Sequence, residues 1–164
     1  MQSRRLWLVL GAFVLAAYAL VFAQGGNTLK AGTQIESLKA ELADGSVFDL
    51  ADHRGEVVVL TFWASWCGLC RHEASVLSRL HSQGVKVIGL GVEDHTIERL
   101  AEDAREIGAH YAVGRPAPGV LERMRVSVVP TTYVIDRTGS VVLGRTGLVS
   151  EDDLEDAIRA ASES

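Results

Sequence analysis

The sequence predicts an α/β fold in which a mixed central sheet is flanked by helices, with an N-terminal β-hairpin and, ahead of it, a transmembrane or signal helix. Three observations carry this. Val57-Val58-Val59-Leu60-Thr61-Phe62-Trp63 is a continuous apolar, largely β-branched run, the pattern of a strand covered on both faces of a sheet. Stretches with helical spacing follow it, the clearest being Ile97, Leu100, Ala101, Ala104 and Ile107. Two turn dipeptides, Asp44-Gly45 and Thr138-Gly139, each sit between short strand-like runs. The order strand, helix, strand, helix, hairpin, helix implies a mixed sheet with helices on its faces.

The elements follow in order along the chain. Met1 to Arg5 is a short basic start, and every residue from Leu6 to Ala23 is apolar, glycine or tyrosine. Eighteen such residues, at about 1.5 Å rise each, reach the lower limit of a bilayer span. Residues 1–23 therefore read either as an uncleaved signal anchor, its arginines held in the cytoplasm, or as a signal peptide cleaved after the small residues near Ala23. Trp7 falls inside this run, where lipid contact is the plain reading. Both readings place the rest of the chain outside the cytoplasm. Residues 24–34 are polar and glycine-rich and read as a linker, so the folded domain is expected over 35–164.

Within that domain, Leu38–Leu42 and Val47–Leu50 form the first hairpin and Val57–Trp63 the first buried strand. Cys67–Gln83 reads as a helix with Ala74, Val76, Leu77 and Leu80 on one side, and Val85–Gly91 as a second buried strand. A helix carrying Ile97 to Ile107 comes next, then a short helical turn over Pro118–Met124. Thr131–Ile135 and Val141–Leu143 make the second hairpin, and Glu151–Ala160 a closing helix with acidic residues in its first turn.

Composition narrows the function. The chain has 164 residues and a net charge of −5, with 23% charged and 48% hydrophobic residues. That fits one globular domain and argues against disorder. An acidic chain without basic clusters makes nucleic acid an unsuitable partner. Nothing in the sequence demands more than a monomer. The two cysteines, Cys67 and Cys70, are too close together to staple distant parts of the chain.

The chemistry is concentrated in Trp66-Cys67-Gly68-Leu69-Cys70, which follows the strongest strand and opens a helix. Two intervening residues let both sulfurs meet within one turn, so a disulfide can form and break with little movement of the fold. Cys67 lies at the helix start, where unpaired N–H groups and the helix dipole stabilise a thiolate. Cys70 lies one turn deeper. Cys67 is thus expected to attack a partner disulfide and Cys70 to resolve the mixed disulfide. Zinc would need two further ligands, and only His72 and His81 lie on the same helix. Haem attachment would need histidine at the position of Arg71. His53, His81 and His95 read as solvated residues, Trp63 as packing behind the site and Trp66 as a contact surface.

From Phe62 to Glu73, and again from Val128 to Asp136 with Gly139 following, the sequence resembles the thioredoxin superfamily, and within it the exported, membrane-anchored TlpA/ResA/CcmG-like reductases. The resemblance spans roughly residues 35–162. It implies a thioredoxin-like fold and a cis Pro130 packed on the disulfide, which leaves the Val129 backbone free to pair with a substrate strand. It also implies that Glu73 exchanges protons with the cysteine pair, since Thr61 stands where cytoplasmic thioredoxins carry a buried aspartate. The implied client is an exported protein with a disulfide, cytochrome c apoproteins foremost. The implied electron donor is a membrane thiol transporter of the CcdA or DsbD kind. No cofactor is implied beyond the dithiol itself. The chain departs from the family in having Gly68-Leu69, without proline, between the cysteines, and Ala74-Ser75 after the glutamate, which leaves the redox potential open. Two other readings use the same residues: a disulfide oxidase or isomerase, and a non-catalytic module that holds a client or, with His110, copper.

Overall fold

The computed structural model describes residues 28–164; the expected anchor or signal segment, Trp7 and the first part of the linker lie outside them. Among the described residues no helix is long and apolar enough to cross a membrane. The N-terminal hairpin pairs β1 (Lys39–Leu42) with β2 (Val47–Asp49), in the register Lys39 to Asp49 and Glu41 to Val47. Asp44 closes its turn, its Oδ1 accepting from the Ser46 N–H at 2.9 Å and the Ser46 hydroxyl at 2.6 Å.

The sheet is built around β3 (Val58–Trp63), all six residues of which are buried. It runs parallel to β4 (Lys86–Gly91) and antiparallel to β6 (Thr131–Ile135). The helix α1 (Gly68–Ser82) connects β3 to β4, and α2 (Ile97–Glu106) leads from β4 to β5 (Ala112–Pro116). After a single turn of helix, α3 (Val120–Arg123), come β6, β7 (Val141–Thr146) and the closing α4 (Glu151–Ser162). The seven strands lie in the order β2-β1-β5-β4-β3-β6-β7.

The period of two in β3 divides the core. Val59 and Trp63 pack with Leu77 and Leu80 of α1, Leu100 of α2 and Leu154 of α4. Val58, Leu60 and Phe62 pack on the other face with Phe48, Leu50, Val120 and Tyr133. Thr61 shares the face of Val59 and Trp63, which turns its hydroxyl toward α1.

Strand β5 is the element that the sequence pattern does not announce. Ala-Val-Gly-Arg-Pro has one β-branched residue and two residues that weaken strands. It is held by its neighbours: parallel to β4 on one side and antiparallel to β1 on the other, with Leu42 opposite Gly114. A Cβ at Gly114 would lie 2.3 Å from the Glu41 carbonyl oxygen and 3.0 Å from the Leu42 Cα, so backbone would have to move. Gly114→Ala is expected to destabilise the fold by about 2–3 kcal/mol, as overpacking against main chain does. A urea titration should show a lower midpoint with an unchanged slope.

The second half of the stretch read from sequence as a linker is laid against the sheet. The Gly32 N–H donates to the Val141 carbonyl at 2.8 Å, the Val141 N–H donates to Thr33 at 2.9 Å, and Gln34 bridges Ser140. Further back, the Leu29 N–H donates to the Tyr133 hydroxyl at 3.2 Å and the Thr28 hydroxyl to the Gly144 carbonyl at 3.1 Å. Residues 28–34 therefore run antiparallel along the outer edge of β7.

Candidate active site

Strand β3 ends at Trp63, and Ala64 to Trp66 carry the chain to the start of α1. Cys67 is the N-cap of that helix, in extended conformation, and its Sγ accepts the Cys70 N–H at 3.1 Å. A sulfur thus takes the place of the usual capping oxygen and satisfies one of the free N–H groups of the first turn. Cys67 and Cys70 are joined in a disulfide with their Cα atoms 5.2 Å apart. Cys67 is 6% exposed and Cys70 2%. The rim is apolar: Trp66 is 72% exposed and Leu69 51%. Trp63, by contrast, is buried against both cysteines in the same cluster.

The other wall comes from the start of β6. The Val129–Pro130 peptide is cis. Pro130 is buried, Val129 half-buried and Val128 exposed. The Thr131 hydroxyl donates back to the Val128 carbonyl at 2.8 Å, and the Pro130 carbonyl accepts the Gly147 N–H at 2.8 Å. Among the described residues the main chain of Val129 has no hydrogen-bond partner.

Glu73 lies one turn beyond Cys70, on the buried face of α1 and 2% exposed. Its Oε2 accepts from the hydroxyls of Thr61 and Thr132, each at 3.1 Å, and the two threonines are 3.0 Å apart. Oε1 is buried with no hydrogen-bond partner among the described residues. Burial pushes the carboxyl up from 4.5 to about 7, with the threonine hydroxyls and the Val149 N–H opposing the rise. Near neutral pH it can therefore hold or release a proton. The phenol of Tyr111 borders the same pocket, its pKa raised by burial first and by the Glu73 charge second. Gly89 makes room for it: a Cβ there would lie 2.8 Å from the Tyr111 ring and 3.2 Å from Trp63 Nε1.

One group of charged residues at the site is absent from the sequence reading. Glu93, two residues past β4, accepts from the Ser65 N–H at 2.6 Å and from the Ser65 hydroxyl at 3.0 Å. His95 Nε2 is 3.8 Å from Glu93, and His95 Nδ1 is 2.9 Å from Asp103, which is 1% exposed. Arg99 Nη2 lies 2.7 Å from the other Asp103 oxygen. His95 thus has two carboxylate neighbours, where the sequence reads it as a plain solvated residue. The signal in the sequence was Asp103, which falls beside Leu100 and Ala104 on the buried side of α2. The carboxylates of Glu93 and Asp103 and the His95 ring bring possible metal ligands together; Glu93 carries both Ser65 donors, and Asp103 is ion-paired with Arg99.

The remaining histidines lie elsewhere. His53 stacks on Phe48 with ring centroids 4.9 Å apart, His72 is exposed, and His81 Nδ1 faces the Val85 carbonyl. The His110 N–H donates to the Ser78 hydroxyl at 3.0 Å. Ser78 is three turns along α1 from Cys67, about 16 Å. The His110 main chain is therefore tied to α1 well beyond the cysteine pair.

The chain matches the redoxin family model over residues 26–158. It is 29% identical to the thiol-disulfide oxidoreductase ResA of Bacillus subtilis, over 94% of this chain and 92% of that protein. It is 31% identical to the thiol:disulfide interchange protein HelX of Rhodobacter capsulatus, over 88% of this chain and 86% of that one. Among solved structures, a DsbF homologue from Corynebacterium diphtheriae superposes with a TM-score of 0.69 at 26% identity, covering 81% of this chain and 90% of that one. The fold is thioredoxin-like.

Proposed function

The chain belongs to the redoxin family and is a thiol-disulfide oxidoreductase, and from that premise we propose that it reduces disulfides of exported proteins from a position outside the cytoplasm, held there by residues 1–23. The observation that carries the mechanism is a redox pair with one sulfur at a helix N-terminus and a buried carboxyl of pKa about 7 one turn behind the other.

In the reduced protein the Cys67 thiolate attacks one sulfur of the client disulfide. A Cys67–client bond forms, the client S–S bond breaks, and the first client sulfur leaves as a thiolate that takes a proton from water. Cys70 then loses its proton, which Glu73 in its ionised form accepts, and attacks the Cys67 sulfur. The Cys67–Cys70 disulfide forms and the second client thiolate leaves. Two electrons have passed from the pair to the client. Trp66 and the free Val129 main chain beside Pro130 receive the client, the latter by strand pairing.

Returning the pair to the dithiol takes two electrons and two protons. A membrane thiol transporter of the CcdA or DsbD kind is the proposed donor, and a cytochrome c apoprotein, whose haem-binding cysteines must be reduced, the proposed client. Both rest on the family resemblance.

The test is the reduction potential of the Cys67–Cys70 pair, measured by equilibration in defined thiol buffers. A reductase is expected near or below the thioredoxin value of about −270 mV. A value near that of a strong oxidant, about −120 mV, would make disulfide formation the function instead.

A further inference from the structure

We propose that Glu93 is a positioning residue for Cys67, acting through Ser65; this rests on the reading of Cys67 as the attacking sulfur. Ser65 is the middle residue of the three that join β3 to the N-cap of α1. Both of its hydrogen-bond donors go to Glu93, one to each carboxylate oxygen: the N–H to Oε2 at 2.6 Å and the hydroxyl to Oε1 at 3.0 Å. Such a two-point clasp fixes the direction of the segment as well as its distance.

Few other contacts do this. The Cys67 N–H closes a turn onto the Ala64 carbonyl at 3.2 Å, and the Val92 N–H ties the Trp63 carbonyl to the end of β4 at 3.0 Å. Between these ties, Ser65 and the largely exposed Trp66 depend on Glu93. The disulfide also braces the segment, but only while it is closed. In the dithiol the Cys67–Cys70 bond is gone, and the approach of the attacking sulfur is set by the turn that leads into it.

Glu93 is itself braced. Its side chain is 19% exposed, with His95 at 3.8 Å, and His95 is anchored on Asp103 of α2 at 2.9 Å. Arg99 Nη2 lies 2.7 Å from Asp103 Oδ1 as an ion pair without hydrogen-bond geometry. His95 thus stands between Asp103 of α2 and the Glu93 carboxylate, which meets both Ser65 donors. A glutamine can keep this geometry, its oxygen accepting the N–H and its amide donating to the hydroxyl oxygen. An alanine cannot.

The experiment uses the reduced full chain and the rate of its reaction with a small synthetic aromatic disulfide, with far-UV circular dichroism and the urea midpoint recorded for each variant. Glu93→Ala is expected to slow the reaction about tenfold, the scale on which sub-ångström misplacement acts, and Glu93→Gln to restore it to within about threefold. Ser65→Ala, which keeps the N–H bond, is expected to fall between the two. A folded Glu93→Ala that reacts at the native rate overturns the proposal, including the case in which only its urea midpoint falls. So does a Glu93→Gln as slow as the alanine variant, since charge would then be what matters. Should Glu93→Ala not fold, an unchanged rate in Ser65→Ala overturns the proposal equally. Cys67→Ser, run alongside, separates the two levels: if it reacts like the native chain, the assignment of the attacking sulfur has failed, not the role of Glu93 alone.

Discussion

Replacing Cys67 with serine is expected to bring disulfide exchange down by about three orders of magnitude or more, whereas Cys70→Ser is expected to keep the first step and stop at the second. The asymmetry follows from where the two sulfurs lie. Cys67 caps α1, and its sulfur already accepts the Cys70 N–H at 3.1 Å. The same donor, with the other free N–H groups of the first turn, stabilises the thiolate of the open form. A serine hydroxyl there does not ionise at neutral pH and does not attack a disulfide. Cys70 is enclosed by the core face of α1 and is 2% exposed, so no client reaches it directly. Its task begins only when a client is already bonded to Cys67. With Cys70→Ser the client stays attached, visible as a reductant-sensitive adduct on a non-reducing gel. Trapping by Cys67→Ser instead would reverse the two roles.

Glu73→Gln is expected to remove a pH dependence from stability and to slow turnover. The folded protein holds the Glu73 proton up to about pH 7, whereas an unfolded chain releases it near 4.5. Between those values the native state binds the proton and the unfolded state does not, so stability falls as pH rises through the window. The whole penalty, about 3 kcal/mol, is present above pH 7. Glutamine carries no such penalty. It keeps an oxygen for the Thr61 and Thr132 hydroxyls, but its amide replaces the unpartnered Oε1 and is itself buried without an acceptor, a fixed cost of about 1–3 kcal/mol at every pH. Urea unfolding should therefore find the difference between the variant and the native chain moving in the variant's favour by about 2–3 kcal/mol from pH 5 to pH 8. Turnover should fall. Without a carboxylate to take the Cys70 proton, resolution of the mixed disulfide should slow by about 100-fold, and the inflection near pH 7 in the rate profile should vanish. A pH-independent difference in stability would mean that Glu73 is ionised in its pocket.

The parts of the site that the sequence discloses are those written in consecutive residues. The buried strand up to Trp63, the cysteine pair and the helix they open are contiguous, and each is specified by a local pattern of burial or spacing. Glu73 is legible as a position, three residues after Cys70, but its burial is not. That depends on Thr61 and Thr132, brought opposite each other by the pairing of β3 with β6. The clasp on Ser65 joins residues far apart in sequence, and nothing around Glu93 distinguishes it from an exposed loop acid until β4 is placed beside β3. Strand β5 is hidden for a different reason. Its glycine is a requirement of the neighbouring hairpin, so its own sequence looks like a loop.

The residues laid along β7 bear on how copies of this protein meet one another. A sheet ends in two rows of open amides and carbonyls, and either row can recruit a strand from another chain. Here one end is β2, only three residues long. At the other end Gly32, Thr33 and Thr28 already occupy the open groups of Val141 and Gly144. Self-association by sheet extension is thereby discouraged at both ends, while among the described residues the Val129 main chain is left unpaired. A soluble form cut at Ile35 would bare the β7 edge and invite polymerisation; one that keeps Thr28 onward preserves its cover.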